Sequence, residues 1–306
     1  MYNEERKIRF LEETKSSDNF GKSAFRTTEP YEVGAGQDLC ELQADILQKI
    51  ADGNFGSRTR SADSAIGFIR SYVTWCKEQG YPTNDGIYSV KTQMDEKMKR
   101  YMVASPKHLQ DILSKSFMPV ESESVDCIYQ CYLWMAFAGL EEAETVEVTV
   151  DEVNFTSMLI EHGGKSFELY RESIPAFRMA CEATEFKYYH HNPDYTRVRS
   201  RFSGEHLMRG IRSDKVKLTT VKSVVQKAFI ESEVELTYNK IRLSGTFYRA
   251  YEAERMGIKV NFDDYVAEQM LKRGSTYHSN YTRGKVANLI RRDLFDDYAC
   301  WKAAFT

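Results

Sequence analysis

Ser124 to Val153 reads SVDCIYQCYLWMAFAGLEEAETVEVTVDEV, and its reading decides the fold. Val125, Ile128, Tyr132 and Met135 recur every three or four residues, the period of an amphipathic helix. Gly139 is placed to end that helix, because a glycine accepts the left-handed conformation of a helix stop. Beyond it, Thr145 to Val150 alternates Val with polar residues, which predicts a half-exposed strand. The stretch is also one-sided in charge: nine acids and no Lys or Arg lie between Glu121 and Glu152. It opens the second of two expected domains.

Toward the N-terminus the pattern is helical. Glu4 to Thr14 reads as a helix with Ile8 and Leu11 on one side. Ser16 to Gly36 is polar and Gly-containing and reads as a loop around a short helical piece. Leu39, Leu42, Ile46 and Ile50 predict a helix over Asp38 to Ile50, and Asn54-Phe55-Gly56 a turn. Ser61 caps a helix whose buried stripe is Ala62, Ile66, Ile69, Val73 and Cys76 and which stops at Gly80. A last helix covers Val90 to Met98. Residues 1–100 are thus expected to form a small all-helical domain, joined by the basic run Lys97 to Tyr101 to a second domain over 101–306.

Toward the C-terminus, Ser105-Pro106 is an N-cap followed by a proline in the first helical position, with Leu109, Ile112, Leu113 and Phe117 as the apolar face. Gly163-Gly164, between two short β-like runs, is a two-residue hairpin signal. Helices are predicted over Ile174 to Thr184, Gly204 to Arg212, Thr219 to Ser232, Leu236 to Arg255, Phe262 to Lys272 and Lys285 to Ala304. The expected fold class is mainly α, with a three-stranded antiparallel sheet early in the second domain.

Composition narrows the function. The 306 residues are 42% hydrophobic and 28% charged, an ordinary globular balance. No apolar run approaches the roughly eighteen residues of a membrane span, and the N-terminus lacks a signal-peptide core, so a cytoplasmic protein without membrane contact is expected. Six Cys without a C-x-x-C pair read as reduced thiols, and Cys127 with Cys131 reads as buried packing. No metal site and no cofactor are expected: there is no Gly-rich phosphate loop, G-x-S-x-G elbow or H-E-x-x-H. Tyr188-Tyr189-His190-His191 could bind a metal or stack bases, but reads first as a loop with exposed aromatics.

The net charge of −3 hides a segregation of sign. Arg197, Arg199, Arg201, Arg209, Arg212, Lys215, Lys217 and Lys222 face only Glu205 and Asp214, a net +6. Leu271 to Arg292 carries six basic residues and no acid. Such segments neutralise phosphates and release counterions.

The order of parts resembles the tyrosine recombinase (phage integrase) family: a helical, SAM-like core-binding domain, a basic linker, two helices, a three-stranded sheet and a helical remainder. The family's T-G-L-R-x-S-E-L box is similar to Ala138-Gly139-Leu140-Glu141-Glu142-Ala143-Glu144, followed by Asp151-Glu152-Val153. Its H-x-L-R-H-T-F box is similar to Ile241-Arg242-Leu243-Ser244-Gly245-Thr246-Phe247, with Met256-Gly257-Ile258 at the family's spacing. The resemblance implies two arginines clamping the scissile phosphate, yet Glu141 and Ser244 stand in their places, and Ile241 and Gly245 stand for the box histidines. A carboxylate there repels a phosphate. Lys165 lies near the hairpin lysine, and Tyr277, Tyr281 and Tyr298 are weak nucleophile candidates.

The leading expectation is therefore a sequence-specific binder of double-stranded DNA, integrase-like in fold, without strand cleavage, and repressor-like in a phage or mobile element. Its DNA contacts would come from Arg58, Arg60 and Arg70 in the first domain. In the second they would come from the eight basic residues between Arg197 and Lys222, with Arg242 and Arg249. Self-association on DNA and a regulatory protein partner stay open. So do an active, divergent recombinase and a protein-docking module that uses the acidic face.

Overall fold

The computed structural model describes residues 1–15, 18–54, 59–91, 94–189, 196–201, 203–210, 212–272 and 280–306. In chain order the first helices are α1 (Glu4–Thr14), α2 (Asp18–Ala35), α3 (Ala44–Asn54), α4 (Thr59–Glu78), α5 (Met94–Tyr101), α6 (Pro106–Ser116) and α7 (Asp126–Ala138). Three strands follow, β1 (Val153–Asn154), β2 (Leu159–His162) and β3 (Lys165–Glu168), then α8 (Ile174–Glu182), β4 (Glu185–Tyr189) and β5 (Thr196–Ser200). The chain closes with α9 (Leu218–Glu231), α10 (Tyr238–Arg255), α11 (Asp263–Lys272) and α12 (Asn280–Phe305). The expected class is the one observed: mainly helical, with a small three-stranded antiparallel sheet in the order β1-β2-β3. No described helix is long and apolar enough to cross a membrane. Contacts group residues 1–98 with 262–304 and Thr306 in one compact unit, and 99–261 with Phe305 in another.

The first unit is built on aromatic side chains. Phe10, Phe25 and Tyr72 are all but fully buried, and Tyr72 meets Phe10 at 5.1 Å and Phe25 at 5.0 Å, both edge to face. Each such pair adds about 0.5–1.5 kcal/mol beyond the area it buries. The polar stretch expected to be mostly loop is the 18-residue helix α2, and the reason lies in what it buries. Ala24, Phe25, Thr28 and Glu32 recur at helical spacing on its inner face. Glu32 accepts from Lys7 Nζ at 2.6 Å and from Leu39 N at 2.8 Å, so this apparently solvated acid is a buried anchor for α1 and the turn after α2. That turn also delays α3, which starts at Ala44 rather than Asp38: Asp38 Oδ1 accepts from Cys40 N at 3.2 Å and folds the chain into an Asx turn. The helix α5 runs over Met94–Tyr101 rather than Val90 to Met98.

In the second unit α7 is the central element, packed by α8, α9 and α10. It is not amphipathic as its spacing predicts: every residue except Asp126 and Tyr129 is buried. A helix covered on several sides has no solvent face to mark with polar residues. Gly163 and Gly164 make the expected hairpin turn between β2 and β3, in the register His162↔Lys165. The first strand is not Thr145 to Val150 but the two residues of β1. Val146 and Val148 are buried, yet their backbone is held by turns and by Leu207 N donating to Val148 O at 2.8 Å. Where a helix is expected over Gly204 to Arg212, residues 204–210 are irregular for the same reason. Val150 N bonds Glu205 O and Val216 N bonds Met208 O, so this backbone pairs with distant segments rather than with itself. The two-stranded sheet β4–β5 was not expected either; it pairs Glu185 with Ser200 through Tyr189 with Thr196.

Ser105 Oγ accepts from His108 N at 3.2 Å, the predicted cap of α6. His108 Nδ1 in turn accepts from Ala104 N at 3.1 Å, which requires the neutral ring. Burial lowers the His108 pKa; Asp111 opposes this and Lys115 adds to it. The sign is then set: the unfolded ring takes up a proton more readily than the folded one. This stability is present above the unfolded pKa of about 6.5 and is lost as pH falls through the lower folded value. The urea midpoint is expected to drop between pH 7 and pH 5, and to drop less in His108→Asn, whose amide oxygen can still accept from Ala104 N. An identical pH profile for the two proteins would refute this.

Candidate nucleic-acid interface

The clamp positions sit where α7 meets α10. Gly139, in the left-handed region at φ +112°, ends α7, and Tyr238 Oη donates to Leu140 O at 3.0 Å. Burial raises the Tyr238 pKa well above the ordinary phenol value, so this hydroxyl stays a donor. Arg242 and Arg249, both on α10, reach back to the carbonyls that α7 leaves unpaired at its end. Arg242 Nε donates to Gly139 O at 2.8 Å, and Arg249 Nη1 to Phe137 O at 2.6 Å. Two guanidinium groups at a helix C-terminus satisfy its last carbonyls and complement its dipole.

Glu141, at the first arginine position of the resembled box, forms an ion pair with Arg242, Nη1 to Oε1 at 3.0 Å. Ser244, at the second, is completely buried; its hydroxyl donates to Lys240 O at 2.7 Å and accepts from Val103 N at 2.9 Å. Gly245, at a histidine position, lets α7 and α10 touch: a Cβ there would stand 1.8 Å from Phe137 O. Ile241, at the other, is also completely buried. The positions that the resemblance equates with a phosphate clamp thus hold an internal ion pair and helix packing. Lys165 is exposed at the hairpin tip. A groove of about 490 Å³ is lined by Lys107 and Arg171 but also by Glu168 and Glu172, a mixed-charge wall that sequence reading did not single out.

The basic segment behind α8 is largely spent on the protein itself. Arg201 is buried, donating to the carbonyls of Ala180, Ala183 and Leu207 and lying 5.0 Å over the Phe186 ring. Burial, with repulsion from Arg209, pushes its pKa down to about 10. Arg209 donates to Gly204 O and Cys181 O. Lys215 pairs with Glu147 at 2.8 Å and Lys222 with Glu142 at 2.9 Å, so the acidic stretch is partly neutralised by the basic one. In the first unit Arg70 donates to Ile87 O and Val90 O. Arg199 on β5, Arg212 in the following loop and Lys217 at the start of α9 are exposed.

Arg58 and Tyr277 lie outside the described residues, as do residues 190–195 and the side chains of Arg60, Tyr188, Tyr189, Arg197 and Tyr281. Tyr298 is buried, stacked 6.2 Å from Trp301 and edge to face with Phe262 at 5.7 Å. Among the described residues, one group of His, Cys, Asp and Glu side chains is spaced for a metal ion: Asp38, Cys40 and Cys76.

Residues 1–78 match the family described as MrpR, N-terminal core-binding domain. The first part of the chain is similar to a core-binding domain. That is the domain which the resemblance to tyrosine recombinases places at this end. No curated protein matches the chain. Among solved structures, XerA recombinase is similar at 10% identity over 81% of this chain and 83% of that one, with a TM-score of 0.38. The integrase from mycobacterium phage Brujita is 14% identical over 99% and 96%, with a TM-score of 0.34. A lambda integrase (75–356) dimer bound to a COC′ core site is 11% identical over 92% and 94%, with a TM-score of 0.33.

Proposed function

We propose that this chain is a sequence-specific binder of double-stranded DNA, integrase-like in fold, that does not cleave the strand and acts as a repressor-like regulator in a phage or mobile element. The observation that carries the loss of cleavage is the Glu141–Arg242 ion pair at 3.0 Å. It puts a carboxylate where strand cleavage needs a guanidinium, and spends the nearest guanidinium on it. A developing phosphorane charge there would meet a carboxylate and a guanidinium already engaged by it. DNA binding is supported by the core-binding match over residues 1–78 and by the exposed cations Arg199, Arg212 and Lys217. These three lead the sequence-based set as phosphate contacts in the second unit, because Arg201, Arg209, Lys215, Lys222, Arg242 and Arg249 already hold carbonyls or carboxylates, while the side chain of Arg197 lies outside the described residues.

Fluorescence anisotropy with duplexes from the chain's own genomic neighbourhood tests this. One discrete site is expected, with affinity falling steeply as salt rises. Arg199→Glu, Arg212→Glu and Lys217→Glu are each expected to lower the salt slope by about 1 or more, uniformly across sequences. Absence of binding to any duplex at low salt would overturn the DNA reading. A covalent protein–DNA adduct on a nicked suicide substrate, lost in Tyr277→Phe, Tyr281→Phe or Tyr298→Phe, would instead establish an active recombinase.

A further inference from the structure

We infer that Asp38, Cys40 and Cys76 form a binding site for one soft divalent cation, with Zn²⁺ as the fitting occupant. The site lies in the first compact unit and is independent of the DNA-binding reading. One carboxylate oxygen and two sulfurs lie within 4.8 Å of one another, on residues that are 1%, 0% and 0% exposed. In a tetrahedral zinc site with Zn–S near 2.3 Å and Zn–O near 2.1 Å, ligand atoms stand roughly 3.5–3.8 Å apart. Small side-chain rotations therefore bring these three atoms to ligand spacing. Thiolates with a carboxylate are a donor set that zinc takes readily, whereas magnesium and calcium prefer oxygen alone.

The surroundings are those of a ligand set rather than of a thiol in an apolar core. Asp38 accepts from Asn3 Nδ2 at 2.8 Å, from Tyr72 Oη at 3.0 Å and from Cys40 N at 3.2 Å. Arg6 Nη1 lies 3.5 Å from Asp38 Oδ2, donates to Cys40 Sγ at 3.8 Å, and touches Glu41 at 3.8 Å. Donors of this kind orient ligating carboxylates and thiolates from behind. The Cys40 thiol donates to Pro82 O at 3.4 Å, a hydrogen bond that it gives up when the metal takes the place of its proton. Charge balances as well. Binding releases both thiol protons and leaves three negative ligands; a divalent cation offsets two and the Arg6 guanidinium the third. Without the cation both thiols keep their protons and Asp38 alone faces Arg6, so the group is neutral in either state and binding exchanges two protons for one divalent ion. Cys127 and Cys131 show the contrast: they are buried, one helical turn apart, and no carboxylate joins them in such a group among the described residues.

A bound cation would staple the turn after α2 to the last turn of α4, so that metal affinity becomes folding stability. The probe is Co²⁺ added to the reduced, chelator-treated full chain. One Co²⁺ per chain with a thiolate-to-cobalt charge-transfer band is expected. The band should be displaced by Zn²⁺, lost in Cys40→Ser and Cys76→Ser, and kept in Cys181→Ser. Asn3 is exposed, so Asn3→Ala should fold whatever becomes of the cysteine variants; it is expected to bind about 10–100-fold more weakly. The inference is overturned if the wild type shows no charge-transfer band, or if Asn3→Ala and Cys76→Ser bind with unchanged affinity. It is equally overturned if air oxidation links Cys40 to Cys76 in a chain that takes up no metal.

Discussion

Arg242→Met is expected to destabilise the second compact unit by about 3 kcal/mol, in a range of about 3–5 kcal/mol for breaking a buried pair from one side. Three losses coincide. Glu141 keeps its charge but loses the guanidinium at 3.0 Å. Gly139 O at the end of α7 loses its donor at 2.8 Å. The Arg242 stem, 7% exposed, leaves a packed helix interface. The orphaned carboxylate dominates, because a half-buried charge without a partner costs more than the net worth of the pair. Adding Glu141→Gln should therefore return a large part of the stability, giving a coupling energy of about 1–3 kcal/mol in a double-mutant cycle. Urea denaturation of the four proteins measures it. Additive losses would mean that the pair is a surface contact with no role in closing the clamp position.

Gly245→His, which restores the residue type of the resembled box, is expected to cost about 3 kcal/mol or more, and Gly245→Ala nearly as much. The obstacle is the first carbon of the side chain. A Cβ would lie 1.8 Å from Phe137 O and 2.7 Å from Phe137 C, and both are backbone. A flexible side chain could swing away; a helix cannot, so α7 and α10 must separate along their most extensive contact. Ordinary overpacking costs about 1–3 kcal/mol, and a backbone clash sits at or above the top of that range. The melting temperature should fall by roughly 6–12 °C for a unit of this size. A Gly245→Ala protein that melts with the wild type would show that the helices approach less closely than described. Under the proposed function, the catalytic histidine and the close α7–α10 approach are mutually exclusive at this position. Restoring the histidine at this position should destabilise the unit rather than revive cleavage.

Much of the architecture was legible in the residues because local signals and burial agree there. The Ser105 cap with Pro106, the Gly139 stop, the Gly163-Gly164 hairpin and the apolar stripes of α4 and α6 are decided within a few residues of chain, whereas on α1 the expected Ile8 is exposed and Lys7 and Phe10 are buried beside Leu11. Reading failed where the partner is distant. The helix α2 looked like loop because the stretch is polar and Gly-containing, whereas its Glu32 is buried against Lys7. Thr145 to Val150 looked like a strand because its valines alternate, but they feed a core through turns. Of the basic residues chosen for DNA, those on α10 and between Arg201 and Lys222 look alike in sequence; only the fold separates exposed Arg212 and Lys217 from Arg201 and Arg242, which hold carbonyls.

The sequence by itself determined the helical class and the small sheet, which follow from periodicity and turn chemistry, both local; that Glu141 and Ser244 stand in place of clamp arginines is what the resemblance to the integrase family implies. Tertiary structure alone decided that Glu141 closes on Arg242 and that Gly245 lies against Phe137. It alone brought Cys40 beside Cys76. Each of these joins residues tens of positions apart, or more than a hundred. Whether such residues meet is set by helix packing and by the need to neutralise buried charge, not by any pattern within a single segment.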